Sequence, residues 1–177
     1  MRRRTAIRNI AIITAGAAFL PACRNAGTPG IALKNISVSG QGQHMLAELA
    51  EAIIPKTSNY PGAKELKSHE FILTMIDDCT SPEDQEKFIE GLEAFDKLSH
   101  DKFGQKFTGY TSEQKNLLLS DIERKRDIPE DALKFYVTVK GYTLQSFTSS
   151  KAYMIDVKKY RMAPGAGFKG CVPVKNV

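Results

Sequence analysis

SPEDQEKFIEGLEAFDKLSHDKFG, residues 81–104, reads as a helix start, an uninterrupted amphipathic run and a helix stop. Ser81 can cap, Pro82 has the backbone angle that the first helical position needs, and Glu83 and Asp84 meet the positive end of the helix dipole. Phe88, Ile89, Leu92, Phe95 and Leu98 then recur at helical spacing, and the run can continue to Phe103 before Gly104 ends it.

The same texture extends in both directions. Towards the N-terminus, a second helix is predicted from about Ala63 to Asp78, burying Leu66, Phe71, Ile72, Met75 and Ile76. Tyr60-Pro61-Gly62 forms a turn ahead of it. Before that turn, Leu46, Leu49, Ala50, Ile53 and Ile54 predict a first helix from about His44, stopped by Pro55. Towards the C-terminus, Thr111-Ser112-Glu113-Gln114 is a capping signature, followed by an apolar stripe of Leu117, Leu118 and Ile122. Asp127-Ile128-Pro129-Glu130 opens a last long helix carrying Leu133, Phe135, Tyr136, Val137, Val139, Tyr142, Leu144 and Phe147. The β-branched character of residues 135–139 admits a strand, but the cap and the continuing three-four spacing favour helix. After Ser150 the sequence turns irregular and rich in Pro and Gly. The expectation is a single all-α domain of about five main helices with an irregular C-terminal tail.

The charge is uneven. The 177 residues carry 25 Lys+Arg against 20 Asp+Glu, a net +5. Four of the bases are Arg2, Arg3, Arg4 and Arg8, and no acid appears before Glu48. Without those four the balance is 21 against 20, so the excess belongs to the first residues and not to the domain.

Residues 1–22 read as an export signal. A basic start leads into an eleven-residue apolar stretch, Ile10–Leu20, too short to span a bilayer but suited to a signal core. Arg3-Arg4-Thr5-Ala6-Ile7-Arg8 resembles the twin-arginine pattern, with ordinary Sec export as the alternative. Leu20-Pro21-Ala22-Cys23 resembles a lipobox, which would place a lipid on Cys23 and tether the chain to a membrane; the alternative is plain cleavage near Ala22. Residues 23–42, rich in Gly, Ser, Asn and Thr, read as a flexible tether, and residues 43–177 as the domain.

Catalytic chemistry finds no constellation here. No Cys-x-x-Cys-His motif is present, and two cysteines besides Cys23 cannot hold an iron–sulfur cluster alone. His44, His69 and His100 lack close ligand spacing and read as solvated helix histidines. Asp77 and Asp78 point about 100° apart on a helix, which suits helix-end capping and not an acid–base pair. The basic run Lys158-Lys159-Tyr160-Arg161 has nucleic-acid chemistry, which the export signal argues against. Cys79 and Cys171 either pair, closing a long loop at a gain of about 2–4 kcal/mol, or remain two thiols. The site inventory is therefore Arg3 and Arg4 for export, Cys23 for lipidation, Cys79 and Cys171 for a bridge, and no catalytic, cofactor or metal residue.

From about His44 to Val174 the chain resembles the gluconate 2-dehydrogenase subunit 3 family. The resemblance is carried by the run from Leu46 to Pro55 with Pro61-Gly62-Ala63 downstream, by Phe71 and Asp78-Cys79, and by Phe88 to Leu92 leading to Phe103-Gly104 and Phe107. Tyr142, Phe147-Thr148-Ser149, Pro164-Gly165 and Gly170-Cys171-Val172-Pro173 close it. It implies a noncatalytic subunit whose leader carries a flavoprotein partner of the glucose-methanol-choline type across the membrane. FAD would then sit in that partner, and haem c in a cytochrome c subunit where one joins. The lipobox goes beyond the family pattern and suggests an anchor as well. A freestanding helical envelope lipoprotein that binds a small ligand is the competing reading.

Overall fold

The computed structural model describes residues 31–160. Arg3, Arg4, Cys23 and Cys171 lie outside the described residues. Within them every regular element is helical, and residues 31–160 belong to one compact unit.

Helix α1 runs Gly40–Ile53 and turns Met45, Leu46, Leu49 and Ala50 inward. It begins before His44 because Ser39 is its cap, the hydroxyl accepting the Gly42 N–H at 3.1 Å. Gly42 is a close-approach position, since a Cβ there would stand 2.9 Å from Val38 Cγ1. Residues 31–42, read from composition as part of a tether, are instead docked: Ile36 is buried, and Ile31, Leu33 and Val38 pack against the core.

Helix α2 spans Ser68–Cys79. It starts five residues later than its apolar pattern suggests, because Lys67 takes a left-handed conformation (φ 55°) that breaks the turns after Ala63 from the helix. Helix α3, Pro82–Phe103, has the expected ends: Ser81 caps it by accepting the Asp84 N–H at 3.2 Å, and Gly104 closes it at φ 69°. Its buried stripe is Gln85, Phe88, Gly91, Phe95 and Ser99, so Ile89, Leu92 and Leu98 flank the contact and do not centre it.

A 3-10 turn at Phe107–Gly109 inserts Phe107 into the core. Helix α4, Ser112–Glu123, begins with the complete capping box of Thr111 and Gln114. It buries Leu118, Leu119 and Ile122 but leaves Leu117 52% exposed. Helix α5, Glu130–Thr148, includes the β-branched run without a strand and turns Ala132, Phe135, Tyr136, Val139 and Thr143 inward. Helical structure continues past Ser150 through a π-turn at Tyr153–Val157, so the irregular tail does not begin where composition placed it.

An aromatic line ties these layers. Phe135 lies 5.2 Å from Phe88 and 5.6 Å from Phe95, and Phe95 lies 5.3 Å from Phe107. Tilted and edge-on rings at such separations add to the burial term itself.

Candidate functional site

The run from Leu46 to Pro55 holds two carboxylates with different tasks. Glu51 accepts the backbone N–H groups of Lys56 at 2.9 Å and Lys64 at 2.8 Å, bridging the two ends of the loop that follows α1. The Ala63 N–H donates to the Ile54 carbonyl at 2.9 Å, and the Thr57 N–H to the Tyr60 carbonyl at 3.0 Å. Gly62 lies directly on the Glu51 carboxylate, where any Cβ would collide with it. The Pro61-Gly62-Ala63 motif thus closes a loop by backbone bonds and one acid.

Glu48, one turn earlier, accepts from Lys115 at 2.8 Å and from Lys64, with His44 Nε2 3.6 Å away. Burial pushes its carboxyl up, but the bonds from Lys115 and Lys64 outweigh that and hold it below the ordinary value. Lys115 also stands over the Phe107 ring, 5.5 Å from its centroid. The pinned loop brings Tyr60 to the end of α5, 6.4 Å from Phe147, which lies 5.5 Å from Tyr153.

At the other side of α1, a cleft of about 790 Å³ opens against α3, with Val38, Met45, Ile89 and Leu92 among its apolar lining. His44, His100, Asp96 and Lys106 also line it. Sequence spacing separates those two histidines; the fold brings them to one cleft. Among the described residues, no group of three or more His, Cys, Asp or Glu is arranged to hold a metal.

Two further expectations change. His69 is not solvated: its Nδ1 is buried without a hydrogen-bond partner among the described residues, and burial pushes its pKa down. Asp77 does not cap its own helix. Its carboxylate accepts the backbone N–H groups of Lys34 (2.8 Å), Asn35 (2.7 Å) and Ile36 (2.9 Å) and so clasps the N-terminal segment. Of the apolar residues on the last long helix, Val137 and Leu144 stand 59% and 45% exposed on α5. Gly141 between them has open space where a side chain would be. Cys79 is exposed at the end of α2, while its proposed partner lies outside the described residues.

These features define a small all-α domain whose carboxylates hold its own segments in place and whose last long helix leaves apolar side chains exposed. The chain belongs to the gluconate 2-dehydrogenase subunit 3 family, whose model matches residues 41–165. The clasped segment before Ser39 lies ahead of the matched stretch, and Gly170–Pro173 beyond it. No curated protein and no solved structure matches the chain.

Proposed function

We propose that the protein is the noncatalytic small subunit of an exported, FAD-dependent dehydrogenase complex acting on a sugar, sugar acid or alcohol. The single observation that carries this reading is the family match over residues 41–165. FAD belongs to the catalytic partner and haem c to a cytochrome where one joins; no described residue is assigned to either. Arg3 and Arg4 supply the export signal for the pair, and a lipid on Cys23 anchors it on the periplasmic side of a bacterial membrane. Export of a folded pair suits a partner that must acquire its flavin before it crosses.

Changing both Arg3 and Arg4 to Lys is expected to leave a co-expressed flavoprotein in the cytoplasm, measured by fractionation. A flavoprotein that still reaches the periplasm at the parental level would end the carrier role.

The uncovered face of α5 is the surface we assign to that partner. Val137 and Leu144, seven residues apart, are exposed on it, and Gly141 between them lets a facing backbone come close. Replacing both Val137 and Leu144 with Asp is expected to reduce recovery of the flavoprotein in pull-downs at least about tenfold, a loss of roughly 1.4 kcal/mol or more. The melting temperature of the subunit alone should move by no more than about 2 °C, since both sites are exposed. Undiminished recovery would place the interface elsewhere.

The cleft between α1 and α3 favours one competing reading, a freestanding lipoprotein that takes a small ligand there. A monomeric protein with no flavin dehydrogenase encoded beside it would favour that alternative.

A further inference from the structure

We infer that residues 151–160 form a contact for an anionic lipid surface. This inference rests on the reading that the subunit works at a membrane, and adds to it a second attachment made by the folded domain itself. The segment combines Lys151, Lys158 and Lys159 with a single acid, Asp156. None of the three lysines is paired with a carboxylate among the described residues. Ile155 and Val157 stand between them and Tyr160 follows, 48%, 46% and 56% exposed.

The backbone gathers these groups into one knuckle. The Lys158 N–H donates to the Tyr153 carbonyl at 3.1 Å, Lys159 turns left-handed at φ 53°, and the Tyr160 N–H returns to the Met154 carbonyl at 2.9 Å. Unpaired cations suit the negative headgroups of a bilayer, aliphatic side chains suit the acyl boundary beneath, and a tyrosine suits the layer between them. A polynucleotide would use the lysines but leave Ile155 and Val157 in water, so the lipid surface accounts for more of the segment.

The chain contains no tryptophan, which makes an introduced one a site-specific reporter. The full chain carrying Cys23→Ser, so that no lipid is attached, is prepared with Tyr160→Trp or, as a control on α4, Leu117→Trp. Phosphatidylglycerol vesicles are expected to shift the emission of Y160W to shorter wavelength and to leave L117W unchanged. Phosphatidylcholine vesicles should leave both unchanged. The shift should be lost in about 1 M salt, where screening falls to roughly 3 Å, and lost when Lys151, Lys158 and Lys159 are all changed to Glu. The leader is the same in every variant, so loss of the shift when only the three lysines are reversed assigns the contact to this segment.

An unshifted Y160W, an equal shift on phosphatidylcholine, or a shift that survives charge reversal would overturn the inference. So would a shift produced by an oligonucleotide or by the flavoprotein but not by vesicles. None of these outcomes bears on whether Arg3 and Arg4 direct export, so the two readings fail separately.

Discussion

Replacing Gly91 with leucine is expected to lower the melting temperature by roughly 10 °C, the consequence of about 3 kcal/mol or more of overpacking in a domain of this size. Gly91 lies where α3 crosses α5, the broadest helix contact among the described residues. A Cβ there would stand 2.7 Å from Phe135 Cβ and 2.9 Å from the Asp131 carbonyl oxygen. Neither neighbour is the end of a flexible side chain, so the helices themselves must part. That movement would open the Phe88–Phe135 and Phe95–Phe135 contacts together. Even alanine should destabilise, although glycine to alanine inside a helix is otherwise favourable by about 1 kcal/mol. Gly141, also within α5 but facing open space, supplies the matched comparison: Gly141→Ala should stabilise the isolated subunit by roughly 0.5–1 kcal/mol. Thermal unfolding of the two alanine variants checks the sign of both. A stabilising Gly91→Ala would mean that the crossing tolerates separation.

Gly91 also shows why the α3 stripe was legible in period but not in rotation. Hydropathy puts weight on Ile89, Leu92 and Leu98, yet the helix approaches α5 through a glycine between Phe88 and Phe95, with Ser99 on the same buried stripe. Small residues set the distance between helices and carry almost no hydropathy signal. Capping was easier to read because it is local: Ser81 bonds Asp84, and Thr111 bonds Gln114, each across three residues. The outward face of α5 was not separable from its inward face for the opposite reason. Val137 and Leu144 are as apolar as the buried residues of the same helix, and hydropathy alone does not say which apolar positions face outward.

Lys67 marks another limit. Its left-handed conformation separates the turns after Ala63 from α2, although residues 63–78 read as one continuous helix. The cause lies in the loop, where Glu51 and the Ile54 carbonyl fix Lys64 and Ala63 before the helix can begin. The Pro61-Gly62-Ala63 triplet is legible as a motif, and the bonds explain why each residue is there: a turn, a space for the carboxylate, and a fully buried methyl group.

Removing the Asp77 carboxylate is expected to release the N-terminal segment as a unit. Asp77→Ala should lower the melting temperature by roughly 5–10 °C, since three backbone bonds to one charged acceptor are lost together. It should also make the segment before α1 more susceptible to trypsin at Lys34 than it is in the parent protein. Two companions narrow the cause. Asn35 reinforces the clasp by donating its side-chain amide to the Asp77 carbonyl at 2.7 Å, and Gln85 donates to the same carbonyl at 2.9 Å. Asp77→Asn keeps the shape and removes the charge, and it turns an N–H donor towards the donors it must meet, so it should behave more like alanine than like aspartate. The pH dependence gives an independent sign. The bonds from Lys34, Asn35 and Ile36 hold the Asp77 carboxyl below its ordinary value of 3.8, despite burial acting the other way. Its contribution is therefore fully present above pH 3.8 and disappears as the pH falls through the lower folded-state value. The gap in melting temperature between the parent and Asp77→Ala should stay constant near neutrality and narrow below about pH 4. A gap independent of pH down to 3 would mean that the carboxylate charge contributes nothing. Unchanged trypsin resistance would mean that Ile36 and Val38, through their packing alone, keep the segment in place. Composition hid this clasp because its donors are backbone groups 41 to 43 residues away, which residues of almost any type could supply.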